Sequence, residues 1–394
     1  MRKKKIAILG STGSIGKTLI NLCKKRKEYV EIKLLSTNKN YKLLFKQAKY
    51  FNVKNLIIFD EKTFEKIKKN KKYINFQLFN DTDSYKKIFK SKLDYTMSSI
   101  TGIDGLNPTI EIIKFTKSIA IANKEAIICG WRLIQKELFT NKVKFIPVDS
   151  EHFSLWFGLQ NIMFNKIDTI YLTASGGPLN KLPIKKIKKV SIRQALNHPN
   201  WNMGKKISVD SATMINKVYE VIEAKNIFQI PYEKIKIIIH PKSYIHCLIK
   251  FNNGLTKIIA HDTTMEIPIF NSLYNKYNRY LKSNEIDFFK LNKPKFSNVD
   301  LKKYPMVNIL KKLPKKNSLF ETVIVSTNDT LVNLFLDKKI KFVDLYNDLI
   351  KFITHKEFIK YKNKSPKNVE DIVELNNYVR SKILKKVYKT ENAK

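Results

Sequence analysis

The sequence predicts an α/β fold in three parts: an N-terminal domain with a parallel sheet, a central α+β domain and a C-terminal helical domain. Three observations lead to this prediction. Short apolar runs alternate with amphipathic stretches in the first third of the 394 residues, which favours a parallel sheet with crossover helices. Clusters of Gly, Pro, Ser and His interrupt the strand-like runs of the middle third. A helical period of apolar residues dominates the end of the chain.

The N-terminal domain is expected over residues 1–149. Its candidate strands are Lys5–Leu9, Val30–Leu35, Asn55–Phe59, Tyr95–Ser98, Ser118–Ala122 and Lys144–Val148. The central domain is expected over residues 150–275, with strands at Thr169–Thr173, Ile235–His240, Ile245–Phe251 and Thr256–Ala260. Residues 276–312 are polar and irregular and are predicted to be a linker, which leaves residues 313–394 for the helical domain.

Composition and charge narrow the class of protein. The net charge is +41, but only six of the 75 basic residues are Arg and the Lys residues are spread over the whole chain. Arg is the residue favoured for bidentate recognition of phosphates and bases, so we expect no specific nucleic-acid partner. The three cysteines lack a disulfide-like pattern, which fits a reducing compartment. No signal peptide or membrane span is expected, so the predicted location is the cytoplasm.

A glycine-rich loop follows the first predicted strand and opens an amphipathic helix. Its glycines, Gly10, Gly13 and Gly16, have the spacing G-x-x-G-x-x-G. Glycines there allow a tight turn, and amide groups at a helix start can bind a pyrophosphate. The placement predicts a Rossmann-like, dinucleotide-binding domain, with a glycine-rich turn that binds no ligand as the alternative.

The turn after the second strand indicates which dinucleotide would bind. Sites for NAD usually place Asp or Glu there to hold the ribose hydroxyls. Residues 36–40 read Ser-Thr-Asn-Lys-Asn, with no acid and with one cation, Lys39. A cation suits the extra phosphate of NADP, so NADPH is the expected cofactor. The alternative is that Lys39 is one more surface lysine.

Acidic residues follow the sixth predicted strand of the first domain. Asp149 and Glu151 flank Ser150, and in an extended chain residues two apart point to the same side. Two carboxylates there would repel each other unless a cation or a proton intervenes, and oxygen ligands favour Mg²⁺ or Mn²⁺. The pattern predicts a divalent-metal site; the alternative is an exposed acidic turn that caps the next helix. Lys124 ends another strand, so we expect it to converge with these acids and the glycine loop on one crevice.

A long motif between His198 and Glu220 carries further candidate ligands. Ser211 is expected to be a helix N-cap, which would place Asn216, Lys217 and Glu220 on one helix face. An amide, an ammonium and a carboxylate on one face suit ligand binding, whereas the alternative is a solvated Lys–Glu pair.

Two loops around this motif carry candidate residues as well. Trp201 lies in a Pro- and Gly-bounded loop and is predicted to belong to a mobile flap, with a buried anchor as the alternative. The loop Ala174–Pro178 can present the hydroxyl of Ser175 and backbone amides to an anion.

Together these segments resemble a known family. The segments GSTGSIG, ANKE, PVDSEH, SGGP, HPNWNMGKKISVDSATMINK and IHPKSYIH occur in the order seen in 1-deoxy-D-xylulose 5-phosphate reductoisomerases. The resemblance runs from residue 5 to at least residue 270 and is weaker in the helical tail. It implies a homodimeric enzyme of isoprenoid precursor synthesis that uses NADPH and Mg²⁺ or Mn²⁺. Such enzymes convert 1-deoxy-D-xylulose 5-phosphate, a small sugar phosphate, to 2-C-methyl-D-erythritol 4-phosphate.

The resemblance also implies a role for individual residues. The metal ligands would be Asp149, Glu151 and Glu220. The substrate phosphate would be bound by Ser175, Ser211, Asn216 and Lys217. The reacting end of the substrate would contact Lys124, Ser150, Glu151 and His198, with Trp201 capping the site and Glu220 also on the substrate side. The catalytic residues would be Lys124, Glu151 and His198. The residues facing NADPH would be Thr12, Gly13, Ser14, Ile15, Asn38, Lys39, Asn40, Asn123, Glu125 and Gly204.

The chain departs from the family pattern at three positions. Asn38 and Val218 replace the usual Gly, and Leu179 replaces the usual Phe; Asn is the residue that best tolerates positive φ after Gly. Two rival functions stay open on the sequence. One is another Rossmann-type oxidoreductase, such as a semialdehyde dehydrogenase, which needs a nucleophilic Cys in its site. The other is a non-enzymatic binder of polyanions that uses the charge of +41.

Overall fold

The computed structural model of the chain describes residues 2–162, 166–201, 203–274 and 280–391. These residues form two compact units. The first unit comprises Met1–Ala126, Leu133–Phe153 and Met265–Lys282, and the second comprises Ile127–Arg132, Ser154–Thr264 and Ser283–Lys394. The predicted domain boundaries at residues 149, 275 and 312 stay predictions. Residues 275–279, where the second of these boundaries falls, lie outside the described part of the chain.

A parallel sheet of seven strands forms the core of the first unit. Its strands, in chain order, are β1 (Lys4–Leu9), β2 (Val30–Thr37), β3 (Asn55–Ile58), β4 (Gln77–Phe79), β5 (Tyr95–Ser98), β6 (Ser118–Ile121) and β7 (Lys144–Pro147). Their order across the sheet is β4-β3-β2-β1-β5-β6-β7. Every predicted strand of this domain is present, within two residues at each end. The edge strand β4 was not predicted, because it is short and only partly buried.

The described residues contain seventeen α-helices. In chain order they are α1 (Ser14–Lys24), α2 (Tyr41–Phe51), α3 (Glu61–Lys68), α4 (Ser84–Ile88), α5 (Leu106–Ile113), α6 (Lys124–Thr140), α7 (Ser150–Gly158), α8 (Ile184–Ile187), α9 (Ile192–Leu196), α10 (Lys205–Thr213), α11 (Ile215–Phe228), α12 (Glu266–Tyr274), α13 (Phe288–Asn292), α14 (Phe320–Leu336), α15 (Phe342–Ile353), α16 (Lys356–Ile359) and α17 (Val369–Glu391). None of the described helices combines the length and the apolar character that a membrane crossing requires.

Helix α12 belongs to the first unit although it lies far along the chain. The hydroxyls of Tyr95 and Ser272 are 2.8 Å apart, and Lys4 Nζ donates to the carbonyl of Leu273 at 2.5 Å. Tyr95 is fully buried in β5. The first unit therefore includes a helix from a segment that was expected to belong to the central domain.

A mixed sheet of five strands forms the core of the second unit. Its strands are β8 (Ile167–Ala174), β9 (Ile235–Ile239), β10 (Ile245–Phe251), β11 (Thr256–Ala260) and β12 (Ser297–Asn298), in the order β11-β10-β8-β9-β12. Among the pairings of these described strands, only that of β8 with β9 is parallel. All four predicted strands are present. Buried Leu172, Val221 and Ile249 belong to the apolar core that lies between this sheet and α11.

The C-terminal end of the second unit is helical, as the apolar period predicts. Helix α14 is buried on nearly every side, as expected of a helix with apolar residues all around it. The segment predicted to be a linker carries α13, β12 and a 3₁₀ helix over Pro305–Lys312. Met306 and Ile309 of that 3₁₀ helix are buried, so this part of the predicted linker packs against the unit.

Candidate active site

The glycine loop between β1 and α1 needs its glycines for steric reasons. Gly10 has φ +78°, and a Cβ atom there would lie 2.8 Å from the carbonyl oxygen of Ser99. A Cβ atom on Gly16 would lie 2.3 Å from the carbonyl oxygen of Gly10. No side chain among the described residues caps α1 at Gly13. The first amides of α1, including those of Ser14 and Ile15, can therefore bind an anion.

The turn after β2 lies beside the glycine loop. The hydroxyls of Thr12 and Thr37 are 2.6 Å apart, which joins the loop to the end of β2. Asn38 and Lys39 are exposed, and Asn40 caps α2 by accepting a hydrogen bond from an amide of its first turn. Asn38 is not among the described residues with positive φ, so its backbone does not need the conformational freedom of the Gly that is usual in the family.

Asp60 is a charged neighbour of this turn that was not predicted. It follows β3, and its Oδ1 atom lies 3.5 Å from Nζ of Lys39. The hydroxyl and the amide of Thr63 donate to Asp60 and lower the pKa of its carboxyl group. The signal was present in the sequence, because the carboxyl ends of adjacent parallel strands such as β2 and β3 meet at one edge of the sheet.

The segment after β6 brings a cation to the same edge. Asn123 is buried and caps α6: its Oδ1 accepts from the amide of Ala126 at 3.0 Å and its Nδ2 donates to the carbonyl of Gly102 at 2.8 Å. Its side chain therefore has a structural role. Glu125 is also buried. Lys124 Nζ lies 2.5 Å from Oδ2 of Asp149, which confirms the predicted contact of Lys124 with this acid. Their convergence with the glycine loop stays a prediction.

The acidic segment after β7 has a backbone that differs from the expected one. Ser150 and Glu151 lie in the first turn of α7, so the extended geometry assumed for them is wrong. The amide of Glu151 instead donates to Oδ1 of Asp149 at 3.3 Å, and the hydroxyl of Ser150 donates to Oε2 of Glu151 at 2.5 Å. The alternative of an acidic turn that caps the next helix is correct for the backbone. It is wrong about exposure, because the side chain of Asp149 is only 17% exposed.

Asp149 is held between two nitrogen groups. Lys124 contacts one of its oxygens, and Nδ1 of the fully buried His152 lies 3.2 Å from the other. Burial alone would raise the pKa of Asp149, but the charge of Lys124 and the contact with His152 hold that pKa well below its usual range. Asp149 is thus an ionised, oriented carboxylate. His152 was missed because the i,i+3 contact depends on where α7 begins.

In the second unit, Ser175 and His198 are partners. Ser175 Oγ lies 3.1 Å from Nε2 of His198 and accepts a bond from the amide of Gly177 at 2.9 Å. Nδ1 of His198 accepts from the amides of Asn200 and Trp201, at 3.2 and 3.0 Å. Burial lowers the pKa of His198 to about 4. The imidazole is therefore neutral near pH 7, with its proton on Nε2 and directed at Ser175.

Trp201 is half-buried at the end of this chain of contacts. Its ring meets His246 edge to face at a centroid distance of 6.5 Å, and His246 stacks on His261 at 3.7 Å. This half-buried position does not distinguish between the two expectations for Trp201, a mobile flap and a buried anchor. The next residue, Asn202, lies outside the described residues.

Ser211 does not have the local role that was expected. It lies in the last turn of α10, where its carbonyl accepts from the amide of Met214, so the prediction that it is an N-cap is wrong. Met214, with φ +65°, separates α10 from α11. A Cβ atom on Gly177 would lie 2.5 Å from the carbonyl oxygen of Ser211, so the Ser175 loop can approach α10 only because Gly177 lacks a side chain. Gly204 precedes α10 and likewise offers no side-chain cap.

Helix α11 carries a buried polar group on one face. Nδ2 of Asn216 donates to Oε1 of Glu220 at 2.5 Å, and Nζ of Lys217 contacts Oε2 of the same carboxylate. Lys217 is 5% exposed and Glu220 is 1% exposed, so the alternative of a solvated Lys–Glu pair is wrong. Burying charged groups costs free energy even when they are paired, and it is a common feature of ligand sites. Val218, which departs from the family pattern, is buried on the same helix, as is Leu179 in the loop after Gly177.

The three cysteines bear on one of the rival functions. Cys23, Cys129 and Cys247 are all buried thiols. Burial raises the pKa of the Cys23 thiol to about 12. A thiolate nucleophile needs an exposed, electropositive surrounding, so none of these residues fits the nucleophile of a semialdehyde dehydrogenase.

Family models match the chain in three segments. The model for 1-deoxy-D-xylulose 5-phosphate reductoisomerase matches residues 6–130, and a model for its C-terminal domain matches residues 145–228. A further model, for a DXP reductoisomerase C-terminal domain, matches residues 262–382. The matched segments include the glycine loop, the acidic segment after β7 and helices α10 and α11.

Whole proteins of known classification are similar over nearly the full length. The 1-deoxy-D-xylulose 5-phosphate reductoisomerase of Pelagibacter ubique (strain HTCC1062) is 53% identical over 96% of this chain and 98% of that protein. The corresponding protein of Clostridium novyi (strain NT) is 36% identical over 97% of this chain and 99% of its own length.

Solved structures agree with these sequence matches. The 1-deoxy-D-xylulose 5-phosphate reductoisomerase from Zymomonas mobilis, in complex with NADPH, has a TM-score of 0.83 at 29% identity and covers 96% of this chain and 97% of its own. A DOX-P reductoisomerase in complex with NADPH, fosmidomycin and magnesium has a TM-score of 0.88 at 25% identity, with coverage of 98% and 99%. The chain belongs to the family of 1-deoxy-D-xylulose 5-phosphate reductoisomerases.

Proposed function

We propose that the chain is an oxidoreductase that converts 1-deoxy-D-xylulose 5-phosphate to 2-C-methyl-D-erythritol 4-phosphate with NADPH. The observation that carries this proposal is the 53% identity to the Pelagibacter protein over 96% of the chain. The reaction belongs to isoprenoid precursor synthesis, the role that the family resemblance implies. NADPH and a divalent ion, Mg²⁺ or Mn²⁺, are the cofactors. The Zymomonas structure holds NADPH, and a second solved relative holds NADPH with magnesium, which supports this cofactor pair.

The dinucleotide would lie along the loop of Thr12, Gly13, Ser14 and Ile15. The uncapped start of α1 supports this placement, because its amides can meet a pyrophosphate. Lys39 is exposed at the end of β2 and would meet the additional phosphate that distinguishes NADPH from NADH. The remaining members of the proposed cofactor set are Asn38, Asn40, Asn123, Glu125 and Gly204. Of these, Asn123 would act through its backbone, since its side chain caps α6.

The substrate phosphate would be bound by Ser175, Ser211, Asn216 and Lys217. Ser175 supports this role through its hydrogen bonds. Its oxygen accepts from the amide of Gly177 and from Nε2 of His198, so its own proton is left to donate to a phosphate oxygen. Lys217 supplies an ammonium group that is already desolvated, which strengthens its attraction for an anion. Binding energy from the phosphate would position the reacting end of the substrate.

The metal ligands would be Asp149, Glu151 and Glu220. All three offer hard carboxylate oxygens, which Mg²⁺ and Mn²⁺ prefer, and the position of each is set by its own neighbours. Asp149 is kept ionised by Lys124, and Glu220 is oriented by Asn216 and Lys217. When bound, the ion supplies Lewis-acid polarisation of substrate oxygens. Lys124, Ser150, Glu151 and His198 would hold the carbonyl and hydroxyl end, and Trp201 would cover it.

The second copy of the chain would meet this one at the edge of the mixed sheet. Among the described strands, β11 pairs only with β10, so its other side offers unpaired amides and carbonyls. Leu255 and Ile258 are 66% and 53% exposed there. An edge strand with exposed apolar residues is a common site of strand pairing between chains, which supports a homodimer. The cytoplasm is the proposed location, since the three buried cysteines carry no disulfide.

Turnover of the purified chain tests the function directly. NADPH absorbance is followed with 1-deoxy-D-xylulose 5-phosphate, with and without Mg²⁺, and the product is identified by mass spectrometry. We expect oxidation of NADPH only when sugar phosphate and Mg²⁺ are both present. Absence of turnover by a folded chain that still binds NADPH would contradict the proposal.

The remaining rival, binding of polyanions through the charge of +41, predicts a different result. Nucleic-acid affinity driven by phosphate contacts falls steeply with salt. Turnover of a sugar phosphate in an enclosed site should fall gently over the same salt range.

A further inference from the structure

A polar cluster with a buried centre joins the helix that carries Ser211 to the C-terminal helical region. This α10–α14 polar cluster consists of Lys206 and Asp210 on α10 and Asn328 and Asp329 on α14. Nδ2 of Asn328 donates to Oδ1 of Asp210 at 2.8 Å. Nζ of Lys206 lies 3.4 Å from Oδ2 of Asp210 and 2.9 Å from Oδ1 of Asp329. All four residues belong to the second unit.

The energetics of this cluster make its geometry specific. Asp210 is 2% exposed and Asn328 is 1% exposed, so both side chains have given up their water. A buried carboxylate is tolerated only when its oxygens find donors, and here each oxygen of Asp210 has one. Hydrogen bonds and ion pairs depend on direction, whereas apolar contacts tolerate sliding and rotation. The cluster therefore sets the rotation and the axial position of α10 against α14.

Helix α10 connects two parts of the proposed site. Gly204, immediately before it, belongs to the proposed cofactor set, and Ser211, immediately after Asp210, belongs to the proposed phosphate set. The Ser175 loop also rests on α10, since Gly177 packs against the carbonyl of Ser211. A rotation of α10 about its axis would move Ser211 relative to Ser175. None of the four cluster residues is itself a proposed ligand.

We infer that Asn328 and Asp329 are positioning residues for phosphate binding: they hold α10 so that Ser211 faces the substrate phosphate. The inference rests on the proposed function and adds to it a role for the C-terminal helical region. Asp329 acts through Lys206, and Asn328 acts through Asp210. Neither touches the substrate.

The test separates positioning from general stability by measuring two kinds of phosphate binding. Asp329→Asn is compared with wild type, with Asp329→Glu as the conservative variant and with Asp337→Asn as the matched control. Asp337 is exposed just beyond the end of the same helix. We expect Asp329→Asn to raise the KM for 1-deoxy-D-xylulose 5-phosphate by roughly threefold to tenfold, a typical coupling for residues in one polar network. The KM for NADPH and kcat should change less than twofold, on the order of measurement error.

The second measurement does not depend on turnover. Inorganic phosphate is titrated by calorimetry into the wild type and each variant, and its Kd should rise in Asp329→Asn in parallel with the substrate KM. Asp329→Glu should restore part of the affinity, and Asp337→Asn should behave as wild type. If phosphate binding changes as expected while no variant turns over the sugar phosphate, the proposed function fails and the positioning role stands.

Two results would overturn the inference. One is an unaltered substrate KM and phosphate Kd in a folded Asp329→Asn protein. The other is an equal loss of kcat, NADPH affinity and phosphate affinity, which would indicate a general loss of structure. Should Asp329→Asn fail to fold, Lys206→Gln breaks the same contact from α10, and the same two affinities are read from it.

Discussion

Nζ of Lys124 lies 2.5 Å from Oδ2 of Asp149, so a lysine that begins the helix after β6 neutralises a carboxylate that follows β7. Both side chains are largely buried, at 15% and 17% exposure. The pair keeps Asp149 ionised and keeps Lys124 at the proposed metal site. A lysine in this place has two separable effects, one on the metal and one on the substrate.

Lys124→Ala should therefore uncouple metal binding from catalysis. Removing a positive charge beside a carboxylate ligand favours a cation, so the Kd for Mn²⁺ should stay the same or fall. Turnover should drop by ~10²–10³, the typical loss for one charge-stabilising group. Lys117→Ala is the control, because Lys117 pairs with Asp94 at 2.9 Å in the same unit but away from the proposed site. A weaker Mn²⁺ affinity in Lys124→Ala would contradict the assignment.

Glu151→Gln should have the opposite effect on the metal. The amide keeps the size of the side chain but removes a charged ligand, so Mn²⁺ affinity should weaken and kcat should fall by ~10²–10³. The affinity for NADPH should stay near that of wild type, since the glycine loop between β1 and α1 is a different segment from the one that carries Glu151. Glu111→Gln, which changes a carboxylate paired with Lys114, controls for loss of charge alone. Wild-type turnover with unaltered Mn²⁺ titration would show that Glu151 is only part of a helix start.

Lys39→Ala should lower the preference for NADPH over NADH. Lys39 is 72% exposed and its pairing with Asp60 at 3.5 Å is long, so the ammonium can turn to a bound phosphate at little cost. We expect the ratio of kcat/KM with NADPH to kcat/KM with NADH to fall about tenfold, the effect of losing one charge-assisted contact with a phosphate. Lys42→Ala, on the exposed side of α2, is the matched control. Equal use of both cofactors by wild type would refute the assignment of Lys39.

The position of Trp201 should respond to substrate. In a Trp131→Phe, Trp156→Phe background, Trp201 is the single tryptophan of the chain, since the sequence has three. Addition of a phosphonate analogue should shift its emission to the blue, because closure over a ligand removes water from the ring. Adding Trp201→Phe to this background controls for quenching by the ligand itself. Unchanged emission at saturation would favour the fixed anchor.

Glu321→Gln should make the stability of the protein less dependent on pH between about 4.5 and about 7. Burial raises the pKa of Glu321 to about 7, although the hydrogen bonds from Ser318 and the charge of Lys225 oppose this rise. The folded chain thus keeps a proton that the unfolded chain releases, so stability falls as the pH rises from about 4.5 to about 7. The group costs on the order of 3 kcal/mol above that window.

Thermal midpoints of wild type and Glu321→Gln at about pH 5 and about pH 8 measure this effect. The variant should gain stability over wild type at the higher pH and gain little at the lower one. Glu374→Gln, at an exposed position on α17, should show no such difference. A variant that is destabilised equally at both values would mean that the hydrogen bonds of Glu321 outweigh its charge.

Much of the fold was predictable because most strands are short runs of apolar and β-branched residues. Strands β5, β10 and β11 begin and end where the pattern predicts. β4 could not be recognised, since three partly exposed residues carry too little periodicity. Helix α10 was missed for a tertiary reason. The segment around Ser211 has the composition of a helix start, but Asp210 is bonded to Asn328, 118 positions away, and this long-range contact favours a helix that has already begun at Lys205.

The candidate ligands were easier to predict than their neighbours. Lys124 and Asp149 were expected to meet because parallel strands end at one edge of the sheet. The partners Asp60 and His152 were missed, since one depends on the pairing of β2 with β3 and the other on the residue at which α7 begins. Local sequence patterns identify residue types that suit a given chemistry. Which neighbours their side chains contact is decided by tertiary packing.

The contribution of α12 to the first unit has a consequence for how the chain is made. The hydroxyl of Tyr95 in β5 finds its partner, Ser272, only after 177 further residues have been synthesised. During translation, the nascent N-terminal sheet therefore lacks its contacts with α12 until that helix leaves the ribosome. A truncated chain that ends at residue 149 would lack α12 permanently. Such a product should aggregate during expression, and adding residues 265–282 as a separate peptide should rescue its solubility.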